Sequence, residues 1–231
     1  MAGVAQRPER VVAAGGTLSR VLEILAATVA EAYRSLSTTG LVAGAEGSVS
    51  VAERMTGVAL VTAMGLMAAE ATADGVATVS LDDGRQLDGP LPTSELPTHL
   101  ALLRAGHGAV VHAHAPHATA LGLIADRIPP VLAELAARNG GPVPVLPYAP
   151  AGTEALGAAV ADALQAHGVR TCAIRNHGVV AAAPDVLSAL AAVMAAEQAA
   201  RVTLLARAAG GDPAELPAEE IARLRALGGF G

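Results

Sequence analysis

The stretch Ala109 to His117, AVVHAHAPH, constrains this chain most. Ala109, Val110 and Val111 form a β-branched apolar run of the kind that occupies a buried strand. His112 and His114 follow, two apart. Strand side chains alternate faces, so the two imidazoles project on one side, about 6.5–7 Å apart along the strand. Zn–N bonds of about 2.0–2.1 Å allow such a pair to converge on one ion. Completing a site takes further ligands, and two candidates stand in similar strand-end and helix-start settings. One is His177, in Arg175-Asn176-His177-Gly178 directly after the apolar run Thr171–Ile174. The other is Glu95, in the segment PTSELPTH upstream. Taken alone, a His-x-His pair is also what two polar residues at a strand end look like.

The composition narrows the chemistry. Of 231 residues, 52% are hydrophobic and 16% charged, which argues for one folded domain with a large core. No uncharged apolar block of membrane length occurs; the nearest, Val179–Ala196, contains Pro184, Asp185 and Ser188. MAGVAQRPER has no apolar stretch of the secretory type. Cys172 is the single cysteine, so no internal disulfide or multi-cysteine metal cluster can form, and a cytoplasmic location is expected. A net charge of −6, no basic run and only three aromatic residues exclude a typical nucleic-acid surface. All 15 basic residues are arginine. Without lysine there is no amine for Schiff-base catalysis. Carbon–carbon chemistry in this chain must stabilise a carbanion by other means, and a metal is the obvious one.

In chain order, residues 1–16 read as a loose arm. Apolar positions from Leu18 to Leu36 keep helical spacing, and Gly40 offers a stop. The segment GLVAGAEGSVSV, residues 40–51, reads as a glycine-rich loop feeding a strand, either an ordinary turn or backbone N–H groups presented to an anion. Strands follow at Val58–Thr62 and Val76–Leu81, with a turn at Asp83-Gly84. Thr93-Ser94-Glu95 opens a helix, with Ser94 as its N-cap and Glu95 and His99 on one face. His99 reads as a packing or supporting histidine, and His107 and His167 as surface residues. Helices are expected at His117–Ile124, Leu132–Arg138, from Thr153 to about Ala166 and over Pro184–Ala208, and strands at Val143–Leu146, Thr171–Ile174 and Val179–Ala182. A short helix lies in the tail 209–231. The alternation indicates an α/β fold with a mixed or antiparallel sheet.

Together and in this order, GLVAGAEGSVSV, PTSELPTHLALLRA, AVVHAHAPHATAL, VPVLPYAPAGT and IRNHGVVA resemble the class II aldolase/adducin family over about residues 18–208. The resemblance implies a three-layer α/β/α domain with a central mixed, mostly antiparallel sheet, assembled as a homotetramer. It implies a divalent ion, usually Zn²⁺ with Fe²⁺, Mn²⁺ or Co²⁺ as alternatives, held by His112, His114 and His177. Glu95 matches the glutamate that binds the vacant metal and acts as acid/base. Substrate phosphate is bound in the family by loops matching Gly47-Ser48 and Met64-Gly65 and by the pair Thr93-Ser94.

The chain departs from that pattern at three places. Ser48 stands for the usual asparagine, Met64 for a serine or threonine, and Ala133 for the tyrosine of the type enzyme. A thioether is a poor partner for a phosphate oxygen. The expected function is a metal-dependent carbon–carbon lyase acting on a small hydroxycarbonyl compound. Decarboxylation, dehydration, epimerisation or Fe-dependent oxygenation at the same metal is the near alternative. A non-catalytic adducin-like module has no need of a converging ligand set.

Overall fold

A computed structural model describes residues 17–230; the expected N-terminal arm, 1–16, lies outside them. Period-two alternation organises the sheet. Its strands are β1 (Ser48–Glu53), β2 (Val58–Thr62), β3 (Val76–Ser80), β4 (Gln86–Asp88), β5 (Ala109–Ala113), β6 (Arg127–Ile128), β7 (Val143–Leu146), β8 (Thr171–Ile174) and β9 (Gly178–Ala183). They run in the order β4-β3-β2-β1-β5-β9-β8-β7-β6. Every neighbouring pair is antiparallel except β7 with β8. Val49, Val51, Leu60, Val111, Val179 and Ala181 face one core layer, while Val61, Val110, Cys172, Ile174 and Val180 face the other. Strands buried on both faces need apolar residues at nearly every position, which the sequence supplies.

Helices close both faces. On one side lie α1 (Thr17–Thr38), α3 (Pro116–Ile124), α4 (Ala133–Asn139) and α6 (Val186–Ala208). On the other, α2 (Leu96–Arg104) packs against α5 (Glu154–His167). The result is the expected three-layer arrangement. By length and composition α6 could cross a bilayer, but here it is a core helix, with Ala189, Ala192, Ala196, Ala199 and Ala200 fully buried. Small side chains let its backbone approach the sheet closely. The tail forms α7 (Ala218–Leu227), which packs on α4 and is followed by Phe230, stacked under the Arg170 guanidinium at 4.1 Å.

Several local expectations change. Strands β4 and β6 hold only three and two residues, too short for a periodic signal. The N-cap of α2 is Glu95, not Ser94, because Thr93 organises the turn: its Oγ1 accepts from the Glu95 amide (3.2 Å) and its carbonyl from the Leu96 amide (3.1 Å). The last long helix starts at Val186, where the Asp185 carboxylate accepts from the Ser188 amide at 2.8 Å. Thr153 does cap α5. His107 is half-buried beside a cavity of about 590 Å³, and burial with nearby Arg54 and Arg170 lowers its pKa. His167 is exposed at the end of α5.

Candidate metal centre

Two central strands deliver the histidines. His112 shares the α2 face of β5 with Val110 and is buried, while His114 stands just past the strand end and is one-third exposed. The β8–β9 connection is tight: the His177 amide donates to the Ile174 carbonyl at 3.1 Å. Asn176 sits at φ +60, the one non-glycine in the left-handed region among the described residues. Asparagine tolerates that region better than most side chains. Arg175 fastens the same turn to Asp126 (2.8 Å) and to the Ala125 carbonyl (3.3 Å). Since β9 pairs with β5 through Val180↔His112 and Val179↔Ala113, the turn places His177 beside the other two histidines. Two glycines make the approach possible. A Cβ on Gly47 would lie 2.7 Å from the His112 carbonyl, and one on Gly178 would collide with the Ala113 carbonyl.

The three rings meet edge to face, with centroids 4.7–5.3 Å apart. One ligand nitrogen from each lies within 4.8 Å of the others. The proton on His112 is fixed, because its Nδ1 lies 3.0 Å from the Val179 carbonyl, which can only accept. Its Nε2 therefore carries a lone pair, and that atom is buried without a protein partner. His177 Nδ1 is likewise buried and unpartnered. Each such atom costs about 1–3 kcal/mol unless something binds it. Burial, followed by the neighbouring histidines, holds His112 well below the usual imidazole pKa, and burial and His114 lower His177. Neutral imidazoles are what a cation requires. A converging trio, with the His112 tautomer set by a backbone carbonyl and its buried Nε2 left without a protein partner, fits a divalent ion.

Glu95 is buried at the start of α2, with Oε1 3.7 Å from His177 Nε2. Burial raises its carboxyl pKa, partly opposed by the Gly152 amide. Gly152 itself passes so close to the Ser94 carbonyl that a Cβ would lie 2.6 Å away. Glu46 reaches His114 at 3.5 Å, and the Tyr33 hydroxyl holds the Glu46 carbonyl (2.8 Å) and the Leu66 carbonyl (3.2 Å), joining two glycine loops.

The five residues expected to bind an anion are not equally disposed. Gly47 abuts β5, Gly65 is exposed at φ +73, Ser94 is exposed and Thr93 is engaged with the Glu95 amide. Ser48 is turned inward. Its side chain points into the α2 face, fully buried, with Oγ 2.7 Å from His99 Nε2. Period-two alternation puts Val49 and Val51 on the α1 face, so Ser48 and Ser50 must turn the other way. His99 takes both, with Nδ1 2.6 Å from Ser50 Oγ. The contribution of Ser50 was missed, although two hydroxyls alternating with valines in a buried strand are its signal. Glu197 was missed as well: from α6 it accepts from the His117 and Ala118 amides and from the His117 ring, steadying the helix that follows His114. A partner eighty residues away leaves no local signal.

The sequence profile of the Class II Aldolase and Adducin N-terminal domain matches residues 27–204. L-fuculose phosphate aldolase of Escherichia coli (strain K12) is 32% identical over 168 residues, 72% of this chain and 76% of its own. A 3,4-dihydroxyphthalate decarboxylase of Terrabacter sp. (strain DBF63) is 35% identical over 154 residues, 62% of either chain. Among solved structures, an L-fuculose 1-phosphate aldolase superposes with a TM-score of 0.81 at 28% identity, covering 88% of this chain and 95% of its own.

Proposed function

For a chain that belongs to the class II aldolase and adducin family, we propose a divalent-metal-dependent lyase that makes or breaks a carbon–carbon bond in a small hydroxycarbonyl substrate. The observation that carries this reading is the converging trio His112, His114 and His177, with the buried His112 Nε2 lacking a protein partner. Three neutral nitrogen donors suit Zn²⁺ first, with Fe²⁺, Mn²⁺ or Co²⁺ as alternatives. When bound, such an ion polarises a carbonyl and offsets the negative charge that develops on carbon–carbon cleavage. The protein supplies the rest. Glu95, whose carboxyl pKa burial raises, stands beside the trio to exchange a proton with the substrate hydroxyl. The Val179 carbonyl fixes the orientation of the His112 ring.

The anion side of the reading uses the backbone at Gly47 and Gly65 with Thr93 and Ser94. Ser48 is left out, since its hydroxyl serves His99, and the exposed Met64 contributes a thioether in place of a donor. Losing one donor to a charged group costs about 1.5–3 kcal/mol, or roughly 10–150-fold in affinity. A carboxylate or an apolar group at this position, rather than a phosphate, follows from that deficit. Decarboxylation at the same metal is the second reading, favoured by the relative named as a decarboxylase.

Screening metal-loaded protein against phosphorylated and unphosphorylated hydroxyketones and hydroxy acids, with product identification, tests both. Met64→Thr is expected to tighten inorganic phosphate by roughly 10-fold or more. Tight phosphate binding in the native chain, unchanged by Met64→Thr, would instead support an ordinary sugar-phosphate aldolase. The same reading includes a cytoplasmic homotetramer, supported by the buried single Cys172 and by exposed Met64, Met67 and Leu91 on neighbouring loops; sedimentation at micromolar concentration checks the assembly.

A further inference from the structure

Beneath the histidine trio lies a polar group that the lyase reading does not use. His99 is fully buried, and both of its ring nitrogens are engaged, Nε2 with Ser48 Oγ at 2.7 Å and Nδ1 with Ser50 Oγ at 2.6 Å. A neutral imidazole has one donor and one acceptor, so one serine donates to the ring and the other accepts from it. Burial alone drives the pKa down to about 3, which keeps the ring neutral. Both bonds cross from α2 to β1, and no other side-chain hydrogen bond joins those two elements among the described residues.

The two ends of this bridge touch the site. On α2, His99 follows Glu95 by four residues, one helical turn, and its amide donates to the Glu95 carbonyl at 3.3 Å. On β1, Ser48 is the register partner of His112. The placement of Glu95 relative to the histidines thus depends on how the first turn of α2 sits on β1. Apolar contacts alone would let that turn slide, because dispersion is non-directional, whereas two short hydrogen bonds to one ring fix rotation and translation together. We infer that His99 is a positioning residue: through Ser48 and Ser50 it sets the distance of the Glu95 carboxylate from the His112–His114–His177 trio.

This role presupposes the proton-carrying Glu95 proposed above, and the experiment separates the two. His99→Phe keeps ring volume but removes both hydrogen bonds, Ser50→Ala removes one, and each is combined with Glu95→Gln. The readouts are metal per chain, kcat on the substrate found by the screen, and amide hydrogen exchange of the peptide spanning residues 93–98. His99→Phe is expected to retain one ion per chain, to lose roughly 10–100-fold in kcat, the scale of a misplacement near 1 Å, and to exchange faster over 93–98 but not over the β8–β9 turn. Ser50→Ala is expected to shift the same readouts by less, and it decides the matter if His99→Phe does not fold. In the Glu95→Gln background, His99→Phe should cost no further turnover. A native kcat in His99→Phe, an additive loss in the double variant, or loss of the ion would overturn the role. Full activity of Glu95→Gln by itself would sink the reading of Glu95, while exchange over 93–98 would still report whether His99 pins α2.

Discussion

Glu95→Gln is expected to keep the fold and the ion and to lose turnover by a factor on the order of 10²–10⁴, the range for a missing general acid/base. The amide preserves the shape of the side chain and the buried turn above Thr93, so packing is undisturbed. It cannot take up or release the proton that burial encourages the carboxyl to hold. Parallel measurement of kcat and metal content on native and Glu95→Gln protein is the check. Near-native turnover would reduce Glu95 to a charge at the start of a helix.

Gly178→Ala is expected to damage stability and the metal centre together. The added methyl group enters the seam between β5 and β9, against the Ala113 carbonyl and 3.2 Å from His114 Cδ2. Both strands are central, with neighbours on either side, so neither can swing away. Overpacking of this kind costs about 1–3 kcal/mol and sometimes more. Any relief by moving residues 113–114 displaces a ligand. Gly211→Ala is the control, since its methyl group meets nothing within 4 Å. Urea midpoints and metal content should fall for Gly178→Ala and stay native for Gly211→Ala. A native midpoint with full metal content in Gly178→Ala would show that the seam gives way easily.

Much of the fold was legible because its central strands are continuous apolar runs. Val58–Thr62, Ala109–Ala113 and Thr171–Ile174 carry β-branched residues at close intervals and are bounded by glycine or polar turns. The histidines were legible for the same reason, since they mark where those runs stop. What stayed hidden depends on partners far apart in sequence. Whether Ser48 faces a ligand or the core is decided by its alternation with Val49 and by His99, fifty-one residues away. Ser94 looked like the cap of α2, but the Thr93 turn moves the helix start by one residue and aims Glu95 inward. The short edge strands β4 and β6 owe their pairing to neighbours rather than to their own pattern. Even His107, in an Ala-Gly-His-Gly stretch that reads as surface loop, is half-buried, its carbonyl accepting from Arg54 across the fold.

The central claim is that His112, His114 and His177 hold one divalent ion as a unit. Elemental analysis of native protein purified without chelator, beside His112→Ala, tests it most directly. His112 is the deciding position because its ring is already oriented by the Val179 carbonyl, leaving Nε2 a single use. The expected result is one divalent ion per chain in the native protein and almost none in His112→Ala, with the native ion released by chelator and restored by Zn²⁺. Equal metal content in the two proteins, or a native chain that takes up no Zn²⁺, Fe²⁺, Mn²⁺ or Co²⁺, would contradict it.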